Sequence, residues 1–116
     1  MKKTLYKENM GMTHVNLRPI RELIRKVGED KVYRDLEEGG SFSVPGYMNL
    51  TCAEAIVPCH SPFTASLNAY SHEWRNGENP VVGVGVESYL TIMSVEGDSQ
   101  REVFDGLIKL IEEETK

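Results

Sequence analysis

Between Phe63 and Met93 the chain runs twice through side chains of alternating character, with a turn signal midway. Phe63 to Trp74 is the outgoing run, Arg75-Asn76-Gly77-Glu78-Asn79-Pro80 reverses direction, and Val81 to Met93 returns. An Asn-Gly step between two β-rich runs predicts a hairpin, because a tight turn needs residues that tolerate positive φ. Successive strand side chains point to opposite faces, so the hairpin sorts its residues into two sets. Phe63, Ala65, Leu67 and Ala69 belong with Val82, Val84, Val86, Leu90 and Ile92 on an apolar face. Thr64, Ser66, Asn68, Tyr70, His72 and Trp74 join Glu87, Tyr89, Thr91 and Met93 on the other.

An apolar sheet face must be covered, and two helical stripes are available to cover it. Ile20, Leu23, Ile24 and Val27 recur at helical spacing behind a possible cap at Asn16, with Pro19 tolerated in the first turn. Gly28-Glu29-Asp30 interrupts the pattern and Val32, Tyr33 and Leu36 resume it, which predicts one bent helix or two short ones ending at Gly39-Gly40. Ser99-Gln-Arg-Glu102 reads as a capping box, and Val103, Phe104, Leu107, Ile108 and Ile111 form the stripe of a final helix. Glu112 to Glu114 would fray into water.

Ser41 to Val44 is a short extended piece. Tyr47 to Val57 alternates as a strand, with Met48, Leu50, Cys52 and Ile56 on one face and Tyr47, Asn49, Thr51 and Ala53 on the other. Pro58 to Pro62 is a loop, since its prolines lack ladder donors. Residues 1–13 read as a flexible arm or a short leading strand. The expected fold is a single α+β domain over residues 1–116: an antiparallel three- to four-stranded meander with an N-terminal and a C-terminal helix packed on one face.

With 116 residues the chain is near the modal domain size and needs neither metal nor disulfide to fold. No apolar run reaches the roughly 18 residues of a membrane span, so no membrane partner is expected. The lysines near Met1 have no apolar segment behind them, unlike a signal peptide. Cys52 and Cys59 therefore predict free thiols in a reducing, cytoplasmic setting. The sequon Asn49-Leu50-Thr51 carries no weight without secretion.

Charge is divided unevenly. Residues 1–34 carry a net +5 and residues 35–116 a net −10, for an overall −5. An acidic chain argues against a dedicated nucleic-acid binder, which relies on clustered cations. Arg18, Arg21, Arg25 and Lys26 on the first helix still offer a local nucleic-acid contact. The plainer reading is that the basic first helix complements the acidic last one.

Four features of the sequence bear on chemistry. Cys52, Cys59, His60 and His72 are ligand types for zinc, but their spacing matches no familiar site, so neither a metal nor another cofactor is expected. Cys59 with His72 is the one conceivable nucleophile–base pair, without a nucleophile elbow or protease signature around it. Gly83-Val84-Gly85 lacks the third glycine of a dinucleotide fingerprint and lies within a strand. The fourth is the aromatic hairpin face, where Tyr70, His72, Trp74, Arg75, Glu87 and Tyr89 form the candidate partner-binding set. Tyr and Trp are rigid, amphipathic anchors, and the accompanying glutamates would repel a nucleic-acid backbone.

The function these features favour is a non-enzymatic protein-interaction module working through the aromatic–acidic hairpin face. Phages and mobile elements encode small inhibitors or adaptors of this general character against larger bacterial complexes. A homodimer is a second possible use of the face. The alternatives are a nucleic-acid or nucleotide-binding accessory protein and, third, a small Cys/His enzyme.

Overall fold

The computed structural model describes residues 1–13, 15–55, 62–70 and 89–116, with only the backbone described at Met12, Thr13, Tyr70 and Tyr89. Its elements are β1 (Lys2–Leu5), α1 (Lys7–Thr13), α2 (Arg18–Val27), α3 (Glu29–Gly39), β2 (Ser41–Val44), β3 (Met48–Glu54), β4 (Phe63–Tyr70), β5 (Tyr89–Gly97) and α4 (Gln100–Glu114). The sheet has five strands in the order β1-β5-β4-β3-β2, every pair antiparallel. The expected meander is present, with helices on one face. The strand count is corrected from three or four to five, because Lys2–Leu5 extends the sheet along β5 and Ser41–Val44 extends it along β3.

Helix formation follows the sequence pattern closely. Gly28, at φ 98°, divides the first helical region into α2 and α3, a conformation that L side chains rarely adopt. Gly40 closes α3 in the left-handed region with its N–H on the Leu36 carbonyl. The cap of α2 differs from expectation: Leu17 occupies the N-cap position and is buried. Asn16 serves one residue earlier, its Oδ1 accepting from the Arg18 N–H at 3.2 Å. At α4, the Ser99 Oγ accepts from the Glu102 N–H at 3.2 Å. This helix continues through Glu114, and Thr115 beyond it is buried.

The core lies between the sheet and α2, α3 and α4. Val103, Phe104, Leu107 and Ile111 from α4 meet Leu50, Ala65, Leu67 and Val95 from the sheet, with Ile20, Ile24, Val32 and Leu36 completing it. Gly106 lies on the inner side of α4, where an added Cβ would stand 2.9 Å from a Val95 methyl. Absence of a side chain there sets how closely α4 approaches β5.

One expected face assignment is reversed. Leu67 pairs with Met93 but Asn68 pairs with Thr91, so Ile92 is an extra residue on β5. Met93 is therefore fully buried opposite Leu67, not on the outer face. The bulge has a clear physical effect. Unbroken alternation from Leu90 would send Ser94 and Glu96 into the core. Inserting Ile92 turns Met93 and Val95 inward and puts Ser94 and Glu96 in outer-face rows.

β3 is also shorter than the predicted Tyr47–Val57 strand. Pro45, Gly46 and Tyr47 form the β2–β3 turn, with Tyr47 at φ 59°. Ile56, Val57, the Pro58–Ser61 part of the loop, the 75–80 turn and the Val82, Val84 and Val86 positions lie outside the described residues.

Candidate binding face

On the side of the sheet opposite α2–α4, the outward positions form three cross-strand rows. The first reads Lys2, Glu96, Thr64, Ala53, and the second Thr4, Ser94, Ser66, Thr51, Ser41. The third reads Thr91, Asn68, Asn49, Ser43. Apart from the Lys2–Glu96 pair these positions are uncharged, and all but Ala53 of the remainder are Ser, Thr or Asn.

Asn68 is the hub of this field and only 9% exposed. Its Nδ2 lies 3.2 Å from Asn49 Oδ1, 3.1 Å from Thr51 Oγ1 and 3.3 Å from Ser66 Oγ. Its Oδ1 accepts from Thr91 Oγ1 at 3.0 Å. Thr51 and Ser66 share a hydroxyl–hydroxyl bond of 2.8 Å. Buried polar groups are costly unless paired, and these pair with one another across three strands. The network fixes where the hydroxyl and amide groups of the face stand. From α1, Asn9 Nδ2 donates to the Thr91 carbonyl at 2.8 Å, anchoring that helix at the β5 end.

A fourth row continues the field at one end. Tyr70 and Tyr89 are register partners, and Tyr47, in the β2–β3 turn, immediately precedes Met48, which pairs with Ala69 next to Tyr70. Three tyrosine positions thus lie toward one end of β3, β4 and β5. Tyr6 lies near the same end. It follows Lys2 and Thr4 in alternation, and its N–H reaches the Ile92 carbonyl at 2.9 Å. Tyr47 is 65% exposed and Tyr6 41%. Tyr33, the fifth tyrosine of the chain, is elsewhere, against Phe104 with ring centroids 5.2 Å apart.

Of the predicted partner-binding set, the backbone at Tyr70 and Tyr89 is thus brought together. His72, Trp74, Arg75 and Glu87 lie outside the described residues. The contribution of Tyr6 was missed from sequence. Its signal was the alternation Lys2, Thr4, Tyr6, legible only if the leading segment is taken as a strand.

The basic helix is largely engaged within the fold. Arg21 donates from Nη1 to the Thr115 carbonyl at 3.3 Å and to its hydroxyl at 3.2 Å, closing the C-terminal end of α4. Arg25 pairs two-pronged with Glu112, at 3.3 and 2.8 Å. Arg18 and Lys26 are exposed. Two of the four proposed nucleic-acid contacts therefore tie α2 to the acidic last helix.

Cys52 is the only zinc-ligand candidate among the described residues, and it packs in the core as a free thiol. Burial pushes its pKa up to about 11, so the thiol stays protonated and behaves as a small apolar group. Cys59, His60 and His72 lie outside the described residues. Among the described residues no cluster of three or more His, Cys, Asp or Glu side chains is placed to hold a metal ion. No described helix is long and apolar enough to cross a membrane.

Behind the sheet, Arg101 joins α4 to α3. Its guanidinium sits 4.8 Å from the Tyr33 ring centroid and 5.5 Å from that of Phe104, bonded at 3.1 Å to both Asp30 and Asp105. Burial disfavours its charge, but the bonds to Asp30 and Asp105 outweigh that and raise its pKa. Burial, then the nearby Glu37, raise the pKa of Tyr33. These contacts account for Tyr33 structurally and set it apart from the other four tyrosine positions.

No family model matches the chain, and neither a curated protein nor a solved structure matches it.

Proposed function

We propose that this chain is a non-enzymatic protein-recognition module that engages its partner through the tyrosine end of the outer sheet face. The observation that carries this reading is the pairing of the Tyr70 and Tyr89 positions at the end of the sheet where the exposed Tyr47 leads into β3, bordering a field of Ser, Thr and Asn. Tyrosine offers a large contact area with few rotatable bonds, and Ser and Asn offer adaptable hydrogen bonding. Protein-binding surfaces of antibodies combine these same residue types. The chemistry of the face supports this reading over an active site. Its polar groups satisfy one another.

A narrower form of the proposal makes the chain a small inhibitor or adaptor of a larger bacterial complex, of phage or mobile-element origin. The nucleic-acid alternative is weakened because Arg21 and Arg25 are occupied by α4. The test is quantitative affinity capture from host lysate with the wild-type chain and Tyr47→Ala side by side. Proteins held by the wild type and released from the variant, at unchanged melting temperature, support the reading. Equal capture by both chains would sink it. Loss that tracks steeply with added salt points instead to phosphate contacts.

A further inference from the structure

The two edges of this sheet are defended differently. β1 carries Lys2 and Lys3, and lysine on an edge strand is one device by which proteins discourage pairing with another chain. β2, at the opposite edge, reads Ser41-Phe42-Ser43-Val44 and has no charge, with Ser41 and Ser43 exposed. Its inward residues, Phe42 and Val44, pack toward the core while its backbone forms the last rung of the sheet.

We propose that β2 is a dimerisation edge, pairing antiparallel with β2 of a second copy to continue the sheet across a twofold axis. An isologous contact must be self-complementary, and this strand is. Residues facing each other across an antiparallel pair must share a face. Placing Phe42 against Phe42 of the second copy also sets Ser41 against its Ser43, and each hydroxyl both donates and accepts.

Electrostatics favour the antiparallel arrangement. Glu37 and Glu38 are exposed just before β2, and the chain carries −5 overall. Antiparallel pairing sends the two Glu37-Glu38 ends to opposite sides of the twofold axis. The uncharged Pro45-Gly46 turn of the second copy faces each acidic end instead. Parallel pairing would stack the glutamates.

This edge is distinct from the tyrosine row, and its test is independent of partner capture. Sedimentation velocity on the wild-type chain across a concentration series is expected to show a monomer–dimer equilibrium. Ser43→Lys gives β2 the guard that β1 already has, and its exposed site leaves folding intact, checked by circular dichroism. It should raise the dimer dissociation constant by about tenfold or more, since the two introduced lysines become diagonal neighbours across the strand pair and lysine on an edge strand discourages pairing. Ser41→Cys together with Ser43→Cys, which face each other across the twofold, should form intersubunit disulfides under mild oxidation, in a background with Cys52 and Cys59 replaced by Ala and Ser. A wild-type monomer at every concentration overturns the proposal. So does a dimer that Ser43→Lys leaves unchanged, because the contact then lies elsewhere.

Discussion

Arg25 on α2 and Glu112 on α4 form a two-pronged ion pair, with Nη2 to Oε2 at 2.8 Å and Nε to Oε1 at 3.3 Å. It joins the basic first third of the chain to its acidic end. One turn away along α2, Arg21 reaches Thr115, so two arginines secure the last turn of α4.

These two contacts should differ in weight. Arg25 and Glu112 have substantially exposed side chains, and such pairs contribute ~0.2–1 kcal/mol. Arg21 is more buried and bonds a carbonyl and a hydroxyl, so Arg21→Ala should cost about 1–2 kcal/mol. Urea denaturation of both alanine variants tests the ranking. A larger loss for Arg25→Ala would show that burial does not set the order here.

Replacing Asn68 should disturb three strands at once. Asn68→Ala leaves the groups of Asn49, Thr51, Ser66 and Thr91 to find new partners, at about 1–3 kcal/mol. Asn68→Asp should be worse at neutral pH, because a carboxylate would face acceptor oxygens without a proton to donate. The folded state would raise the pKa of the introduced carboxyl. Stability should then be recovered at low pH and lost as pH rises through that raised value. Thermal melts of Asn68→Asp against wild type from pH 4 to 7 would show it; a pH-independent difference would refute the network.

Gly106→Ala sets two effects against each other. Alanine is favoured over glycine within a helix by about 1 kcal/mol. Its Cβ would stand 2.9 Å from Val95 Cγ1, so α4 or β5 must shift, and overpacking costs roughly 1–3 kcal/mol. We expect net destabilisation, seen as a lower denaturation midpoint. A stabilised variant would mean the helix moves away at little cost.

The Cys52 thiol should be inert while the protein is folded. With Cys59→Ser removing the other thiol, reaction with a disulfide reagent at pH 8 should proceed only through opening of the structure. Burial places the folded pKa at about 11, above the thiol's ordinary 9.0. The unfolded chain therefore ionises first, and stability should decline as pH rises from 9 toward 11. Cys52→Ala should flatten that decline. Rapid stoichiometric labelling of native protein would contradict the buried placement.

Tyr47 has a left-handed backbone, a strain of about 1–2 kcal/mol for an L side chain. Tyr47→Gly should relieve it and, after the entropy cost of glycine, stabilise by roughly 0.5 kcal/mol. Tyr47→Ala keeps the strain and should reduce partner capture. A Tyr47→Gly variant that melts earlier would show that the ring contributes more to folding than its backbone costs.

Local patterns that repeat along the chain determined much of this protein. Alternation placed Leu50, Leu67 and Ala69 inside and Asn49, Ser66 and Asn68 outside, and helical spacing marked the α4 stripe from Val103 to Ile111. Gly28, Gly40 and Ser99 announced helix ends, because capping and positive φ are properties of a few adjacent residues. Only the tertiary structure decided that β1 returns to β5, that Ile92 bulges and buries Met93, and that the positions of Tyr6, Tyr47, Tyr70 and Tyr89 fall toward one end of the sheet. Strand pairing joins residues tens of positions apart, and its register depends on the summed packing of a whole face. The adjacent Ile92 and Met93 hinted at a change of phase, but only Leu67 on the neighbouring strand fixes where that change falls.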